Sequence, residues 1–169
     1  CPFVPVFTRL AGLVGKQNQY DHSIRVPFVV VGPGVPKGVT DPTPIYLQDV
    51  MPTTLELAGA QQPKHVFFKS LLSRLGQTKS DASSRPYESI YGSYLTLQRS
   101  ITHDGWKLII YPDAKVLRLY HLQHDPHETI DLAGQPDHAE QMTQLFDRFV
   151  ALQRELKDPI DVTHLRPSK

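Results

Sequence analysis

Lys16, Asp21, His22 and Arg25 fall within one ten-residue stretch that ends at the apolar, β-branched run Val26–Val31. An ammonium, a carboxylate, an imidazole and a guanidinium at the edge of a buried strand is the layout with which an α/β enzyme handles an anion. A Lys at such a place stabilises charge developing on the oxygens of a transferring group. His22 has the side chain whose ordinary pKa lies nearest neutrality, so it is a candidate acid, base or anion contact. A structural histidine is the simpler reading of it. Asp21 and Arg25, four residues apart, read as a local ion pair that steadies the loop and contributes little energy.

The elements that must position these residues follow from pattern. Residues 1–11 show no period and read as an irregular lead-in, and Gly12–Ser23 as a loop. Val26–Val31 has the continuous apolar texture of a strand buried on both faces, as in a parallel sheet. Gly32-Pro33-Gly34-Val35-Pro36-Lys37-Gly38 is turn chemistry throughout. Asp49–Gly59 predicts a helix, with Pro52 in its first turn and Gly59 as its stop. A short helix is expected over Lys69–Leu75, ended by Gly76, and Gln77–Arg85 is the polar segment expected to move most. From Tyr87 the texture changes. Glu88–Tyr91, Leu97–Thr102, Trp106–Tyr111 and Leu117–Leu122 read as strands too close together to pair other than antiparallel. Asp104-Gly105 is a two-residue hairpin turn. Ala139–Leu156 carries Met142, Leu145, Phe146, Phe149, Val150, Leu152 and Leu156 on one side, as a helix that covers this sheet would. An extended tail follows Pro159.

Composition removes several classes. The chain of 169 residues carries a formal net charge of +1 without a basic block, which argues against a dedicated nucleic-acid binder. Its longest apolar run is far too short to span a bilayer. The single cysteine, Cys1, allows no intrachain disulfide and leaves the compartment open. A chain that opens on Cys is expected to have been processed or cut from something longer, and a fragment boundary is the simpler expectation. Gly32-Pro33-Gly34 is no phosphate loop, because no Gly-Lys-Ser/Thr follows, and there is no Gly-x-Ser-x-Gly elbow. His121, His124, His127 and His138 lack the helical i, i+4 spacing of a zinc site and read as surface histidines around an Asp-Pro turn.

Several segments together resemble the type I sulfatases. Gly15-Lys16 through Tyr20-Asp21-His22-Ser23-Ile24-Arg25-Val26-Pro27 resembles their G-K-x-x-x-Y-E-x-S-x-R-V-P. Asp49–Gly59 resembles D-x-x-P-T-x-L-x-x-A-G, and Phe68-Lys69-Ser70-Leu71-Leu72 stands where the family has a short S-L-L-P-like helix. Trp106–Tyr111 resembles the K-L-I-x-Y strand. Leu119-Tyr120-His121-Leu122 through Asp125-Pro126-His127-Glu128 and Asp131-Leu132-Ala133 resembles L-Y-D-L-x-x-D-P-x-E-x-x-N-L-A. The motifs run in family order over nearly all of residues 12–157, closest in flavour to the arylsulfatase- and choline-sulfatase-like group. The resemblance implies an α/β fold: the C-terminal portion of an alkaline-phosphatase-like sulfatase fold, with an antiparallel β-meander capped by a C-terminal helix. It further implies a sulfate ester as the substrate of the intact family, a formylglycine nucleophile made in a C-x-P-x-R motif, and a divalent cation, usually calcium, held by hard oxygen ligands. Lys16 matches the family lysine that reaches a sulfate oxygen. Arg99, leading the second strand of the meander, is a further candidate for touching an anionic substrate, and His22 completes the substrate-binding set.

The departures matter as much. Cys1-Pro2-Phe3-Val4-Pro5 is not C-x-P-x-R, and Ala11 stands where the family has a sulfate-binding His. No metal-binding Asp or Asn precedes it, and the match begins at Gly12. The expected organisation is therefore 1–76 as the last strand-and-helix portion of a catalytic domain, 77–86 as a linker, 87–157 as the C-terminal antiparallel subdomain and 158–169 as a tail. No catalytic residue and no metal ligand is assigned within it. The expected function is a sulfatase fragment, from a truncated or frameshifted gene, inactive alone. The alternatives are a non-catalytic anion- or partner-binding module, and half of a split sulfatase that works with the missing N-terminal portion. An apolar strand edge and a helix face are expected to stand open in such a piece.

Overall fold

A computed structural model describes residues 17–76 and 85–167. Lys16, the lead-in and the 77–84 part of the expected mobile segment lie outside the described residues. The chain divides into two compact units, one formed by residues 17–26 with 91–167, the other by residues 27–90.

The first unit is built on a meander of four strands in the order β1-β2-β3-β4: β1 Ser89–Tyr94, whose first two residues belong to the other unit, β2 Gln98–His103, β3 Trp106–Tyr111 and β4 Val116–His121. Arg99 lies opposite Ile110 and His103 opposite Trp106, while Lys107 lies opposite Tyr120 and Tyr111 opposite Val116. The β2–β3 turn is the expected Asp104-Gly105, with φ of 45° and 81° at its two residues. Two successive left-handed residues give the twist that matches antiparallel strands, and the second is Gly for that reason. Alternation then sorts the sheet into two faces. Ile101, Leu108, Ile110 and Leu119 point one way and pack with Leu145, Phe146, Phe149 and Val162. Three of these come from the long helix Ala139–Glu155, which covers this face as its apolar spacing requires. Val162 comes from the tail, where a short 3₁₀ turn at Thr163–Leu165 follows it. Ser100, Lys107, Ile109 and Tyr120 point the other way and are buried too. That second face is covered by residues 19–21, which lead into a single helical turn, α1, at Asp21–Ile24.

In the second unit, α2 spans Val50–Leu57 after a 3₁₀ turn at Leu47–Asp49; in chain order the long helix is α3. The D-x-x-P-T pattern has a local cause. The fully buried Asp49 carboxylate accepts the N–H of Tyr46 at 2.9 Å, the N–H of Lys69 at 3.1 Å and the Tyr87 hydroxyl at 2.5 Å. The Thr53 hydroxyl donates to the Asp49 carbonyl and accepts the N–H of Leu71 at 2.9 Å. Two side chains of one motif thus hold residues 69–71 against the helix. Burial, reinforced by the bond to Asp49, pushes the Tyr87 phenol well above its ordinary range.

Three expectations change. The tail after Pro159 is not extended throughout, because Asp161 accepts the N–H of Thr163 and starts the 3₁₀ turn at Thr163–Leu165. Over 69–75 there is one hydrogen-bonded turn, with Arg74 and Leu75 N–H both donating to the Leu71 carbonyl, and no helix. So short a segment does not repay helix nucleation, and burial of Leu71 and Leu72 holds it instead. Val26–Val31 is extended but forms no strand, because among the described residues it has no ladder partner. Val29 and Val31 are 82% and 91% exposed.

Candidate functional site: the polar face of the meander

The loop that carries the sulfatase-like motif is fastened to the sheet by a buried cation. Lys107, in the middle of the apolar strand β3, is fully buried. Its ammonium donates to Glu128 Oε1 at 2.7 Å, to the Gln19 carbonyl at 3.3 Å and to Asp21 Oδ1. These three acceptors use all three of its protons. Glu128 closes the ring, since its Oε2 accepts the N–H of Asp21 at 2.6 Å. Burial raises the Glu128 pKa, although Lys107 and the Asp21 N–H oppose the shift.

Each arm of this cluster has a sequence reason. Asp125 accepts the N–H groups of Thr129 and Ile130 at 2.7 and 2.8 Å and so winds the D-P-x-E turn. That turn sets Glu128 at φ 55°, a left-handed position that aims its carboxylate inward. On the loop side, the Gln19 N–H donates to Gln98 Oε1 at 3.0 Å, and Gln19 Oε1 accepts the Ser100 hydroxyl at 2.9 Å. Gly92 leaves the space for this, because a Cβ there would fall on Gln19 Oε1 and Ser100 Oγ. The Tyr20 hydroxyl lies 3.2 Å from that of Tyr120 and 3.5 Å from that of Tyr111. Burial and the bonds to Tyr20 push the Tyr111 and Tyr120 phenols above their ordinary range.

The three sequence-predicted site residues are not brought together. Lys16 directly precedes the fastened segment and lies outside the described residues. His22 stands on α1, its ring stacked on Tyr20 with centroids 5.8 Å apart and its Nε2 3.4 Å from Asn18 Nδ2. Arg99 is on the opposite, helix-bearing face of the sheet. Its guanidinium donates to both carboxylate oxygens of Asp158, at 2.5 and 3.1 Å, and to the Leu95 and Gln98 carbonyls at 2.6 and 2.9 Å. Asp158 also accepts the Tyr91 hydroxyl and the N–H of Ile160. Burial alone would raise the Asp158 pKa, but Arg99 and Tyr91 hold it below the usual value. These contacts fasten the chain end of α3 to the sheet.

The expected Asp21–Arg25 pair exists, at 3.8 Å with Arg25 largely exposed, but the principal partner of Asp21 is Lys107. Sequence reasoning missed Lys107 and Glu128. The available signal was a Lys inside an apolar strand, on the same face as Tyr120, with an acidic residue two short motifs away.

Among the described residues no group of three or more His, Cys, Asp or Glu side chains could hold a metal. The Asp21 and Glu128 carboxylates already face the Lys107 ammonium, and Asp49, in the other unit, accepts N–H groups and a phenol, so neither place fits a calcium ion. The histidines at the Asp-Pro turn pack as aromatics: His121 stacks on His124 at 4.1 Å and meets the edge of Trp106 at 4.3 Å.

Residues 11–155 match the family described as N-sulphoglucosamine sulphohydrolase, C-terminal. The chain belongs to that family. Among curated proteins it is similar to Arylsulfatase K of Xenopus laevis, 29% identical over 140 residues that make up 75% of this chain and 26% of that protein. It spans about a quarter of the length of the curated relatives it matches. Among solved structures it is similar to the phosphonate monoester hydrolase SpPMH from Silicibacter pomeroyi, with a TM-score of 0.67 and 20% identity over 83% of this chain and 31% of that one. BT4656, solved in complex with its substrate D-glucosamine-2-N,6-O-disulfate, gives a TM-score of 0.57 and 23% identity over 66% of this chain and 24% of that one. Likeness at this level establishes the alkaline-phosphatase-like fold alone; it is the family match over residues 11–155 that identifies the chain as a C-terminal part of a sulfatase. The family assignment also gives the buried cluster a setting, because its three arms are drawn from three of the sulfatase-like motifs.

Proposed function

We propose that this chain serves as the C-terminal part of a sulfuric ester hydrolase, holding the sulfate-facing loop in place while polypeptide outside these 169 residues supplies the nucleophile and the metal ligands. The observation that carries this reading is the Lys107–Asp21–Glu128 cluster, which locks the residues following Lys16 onto the meander. A lysine on a fixed loop offers its charge to a sulfate oxygen without reorganising as the ester bond breaks, which is where such a cation has most effect. Lys16, which directly precedes the fastened segment, is given that role, and His22, six residues further on, is carried on that segment. Arg99, with four N–H bonds to internal acceptors, supports the subdomain that holds the loop. A calcium ion in the assembled enzyme would balance charge on the sulfate, with ligands from outside this chain.

The test is to join the chain to the remaining portion of a family member such as Arylsulfatase K and measure hydrolysis of 4-nitrophenyl sulfate. Lys16→Ala is expected to lower kcat/KM by about 10²–10³-fold, the usual effect of removing one charge-stabilising donor. Unchanged activity of that variant would refute the role of Lys16.

A further inference from the structure

Beside its core stripe, α3 carries a second one. Asp147, Val150, Ala151 and Arg154 are spaced by three and four residues and so share a side of the helix. The tail after Pro159 runs back along it and is tied at several points. Gln153 donates to the Ile160 carbonyl at 2.7 Å, Val162 is fully buried in the core, and Arg166 grips both carboxylate oxygens of Asp147 at 2.8 and 2.7 Å. Between helix and tail lies an open groove of two adjoining cavities, of about 340 and 350 Å³, which share Val150, Arg154 and Thr163. Ala151 adds apolar wall to the first and Ile160 to the second. The acids of the groove are already engaged. Asp147 pairs with Arg166, Asp158 holds Arg99 and Tyr91, and Asp161 accepts the N–H and the hydroxyl of Thr163 at 2.8 and 2.7 Å. Arg154 is the exception. It is exposed, it is common to both cavities, and among the described residues it makes no hydrogen bond or ion pair. Its charge reaches Asp161 only through space.

We propose that this groove binds an organic monoanion, a single carboxylate or sulfate group on an apolar body, with the anion on the Arg154 guanidinium and the body along Val150 and Ala151. Each cavity has the volume of a small-molecule site. A guanidinium presents a fork of N–H donors that matches an oxyanion, and an unpaired one gives up no internal bond to do so. The two features together select the ligand. An inorganic anion would leave the apolar wall wet, and a neutral apolar molecule would leave the guanidinium idle. Asp147 and Asp161 on the rim disfavour a second negative charge, so a polyanion fits poorly. The inference does not rest on the proposed function, since α3 and the loop that follows Lys16 lie on opposite faces of the sheet.

The experiment titrates the isotope-labelled chain with naphthoate and with naphthyl sulfate and follows its amide NMR shifts. The expected result is saturable one-to-one binding of at least one probe, with a Kd of about 1 mM or tighter. The largest shifts should fall on residues 150–154 and on Thr163, and the tighter probe names the anionic group. Arg154→Gln, at an exposed position, should weaken binding by about 10–100-fold. Ala151→Phe, which fills the groove and keeps the charge, should abolish it. Lys37→Gln removes an equal charge from the other unit and should leave binding as it is. Emission from Trp106, the sole tryptophan and part of the same unit as the groove, should stay unchanged in each variant and so exclude unfolding. Naphthamide and inorganic sulfate should each bind at least about 10-fold more weakly than the better probe. Equal affinity for either of these two, or binding indifferent to Arg154→Gln, would overturn the inference. Shifts centred on Gln19 and Asp21 instead, or no saturation by either probe, would overturn it as well.

Discussion

Replacing Lys107 by Met keeps the length of the side chain and removes its charge. Glu128, its side chain 1% exposed, and Asp21, 21% exposed, would then face each other without a cation. Breaking a buried ion pair by removing one partner costs about 3–5 kcal/mol. Asp21 recovers some hydration, so the lower end, about 3 kcal/mol, is expected. For a chain of this size that is a fall in Tm of roughly 6–12 °C, measured by far-UV circular dichroism. The pH dependence has a definite sign. Burial already raises the Glu128 pKa above 4.5, and loss of Lys107 removes the main force opposing that rise. A carboxyl raised in the folded state contributes stability that is present below its unfolded pKa and lost as pH rises through the folded one. The deficit of Lys107→Met should therefore be widest at pH 7 and shrink towards pH 4. Adding Glu128→Gln should recover part of it at pH 7, because the amide still offers an oxygen to the Asp21 N–H. A deficit below about 1 kcal/mol at pH 7, or one of equal size at pH 4 and pH 7, would refute the cluster as the fastening of the loop.

Arg99→Ala leaves Asp158 buried without its bidentate partner and should cost about 3 kcal/mol in urea unfolding. Because the Asp158 pKa is held below 3.8, its stabilisation is present above that value and lost as pH falls through and beneath it, so acid should narrow the gap between Arg99→Ala and the native chain. Gly92→Ala should cost about 1–3 kcal/mol by driving Gln19 off Ser100, with the amide of Gln19 losing exchange protection first. Tyr87→Phe removes a donor from the buried Asp49 carboxylate and should cost about 1–3 kcal/mol in thermal unfolding.

The meander was legible because its signals are local. Asp104-Gly105 marked one hairpin, short runs between closely spaced turns marked the strands, and the spacing from Met142 to Val150 marked the covering helix. The polar face was not, because Lys107, Asp21 and Glu128 are 86 and 21 residues apart along the chain and only the sheet register brings them together. Arg99 illustrates the opposite difficulty. A strand-leading arginine in a family that binds anions reads as a ligand contact until Asp158, 59 residues on, is seen to take two of its N–H groups. Val26–Val31 carries the pattern of a buried strand, yet a pattern states what a segment requires, and here its sheet is not among the described residues.

The most direct test of the account is sulfate release from a sulfate ester by this chain alone and after it is joined to a sulfatase N-terminal portion. The account predicts none from the chain alone, with or without Lys16→Ala, and Lys16-dependent hydrolysis from the joined protein. Hydrolysis by the 169 residues alone that disappears with Lys16→Ala would contradict it.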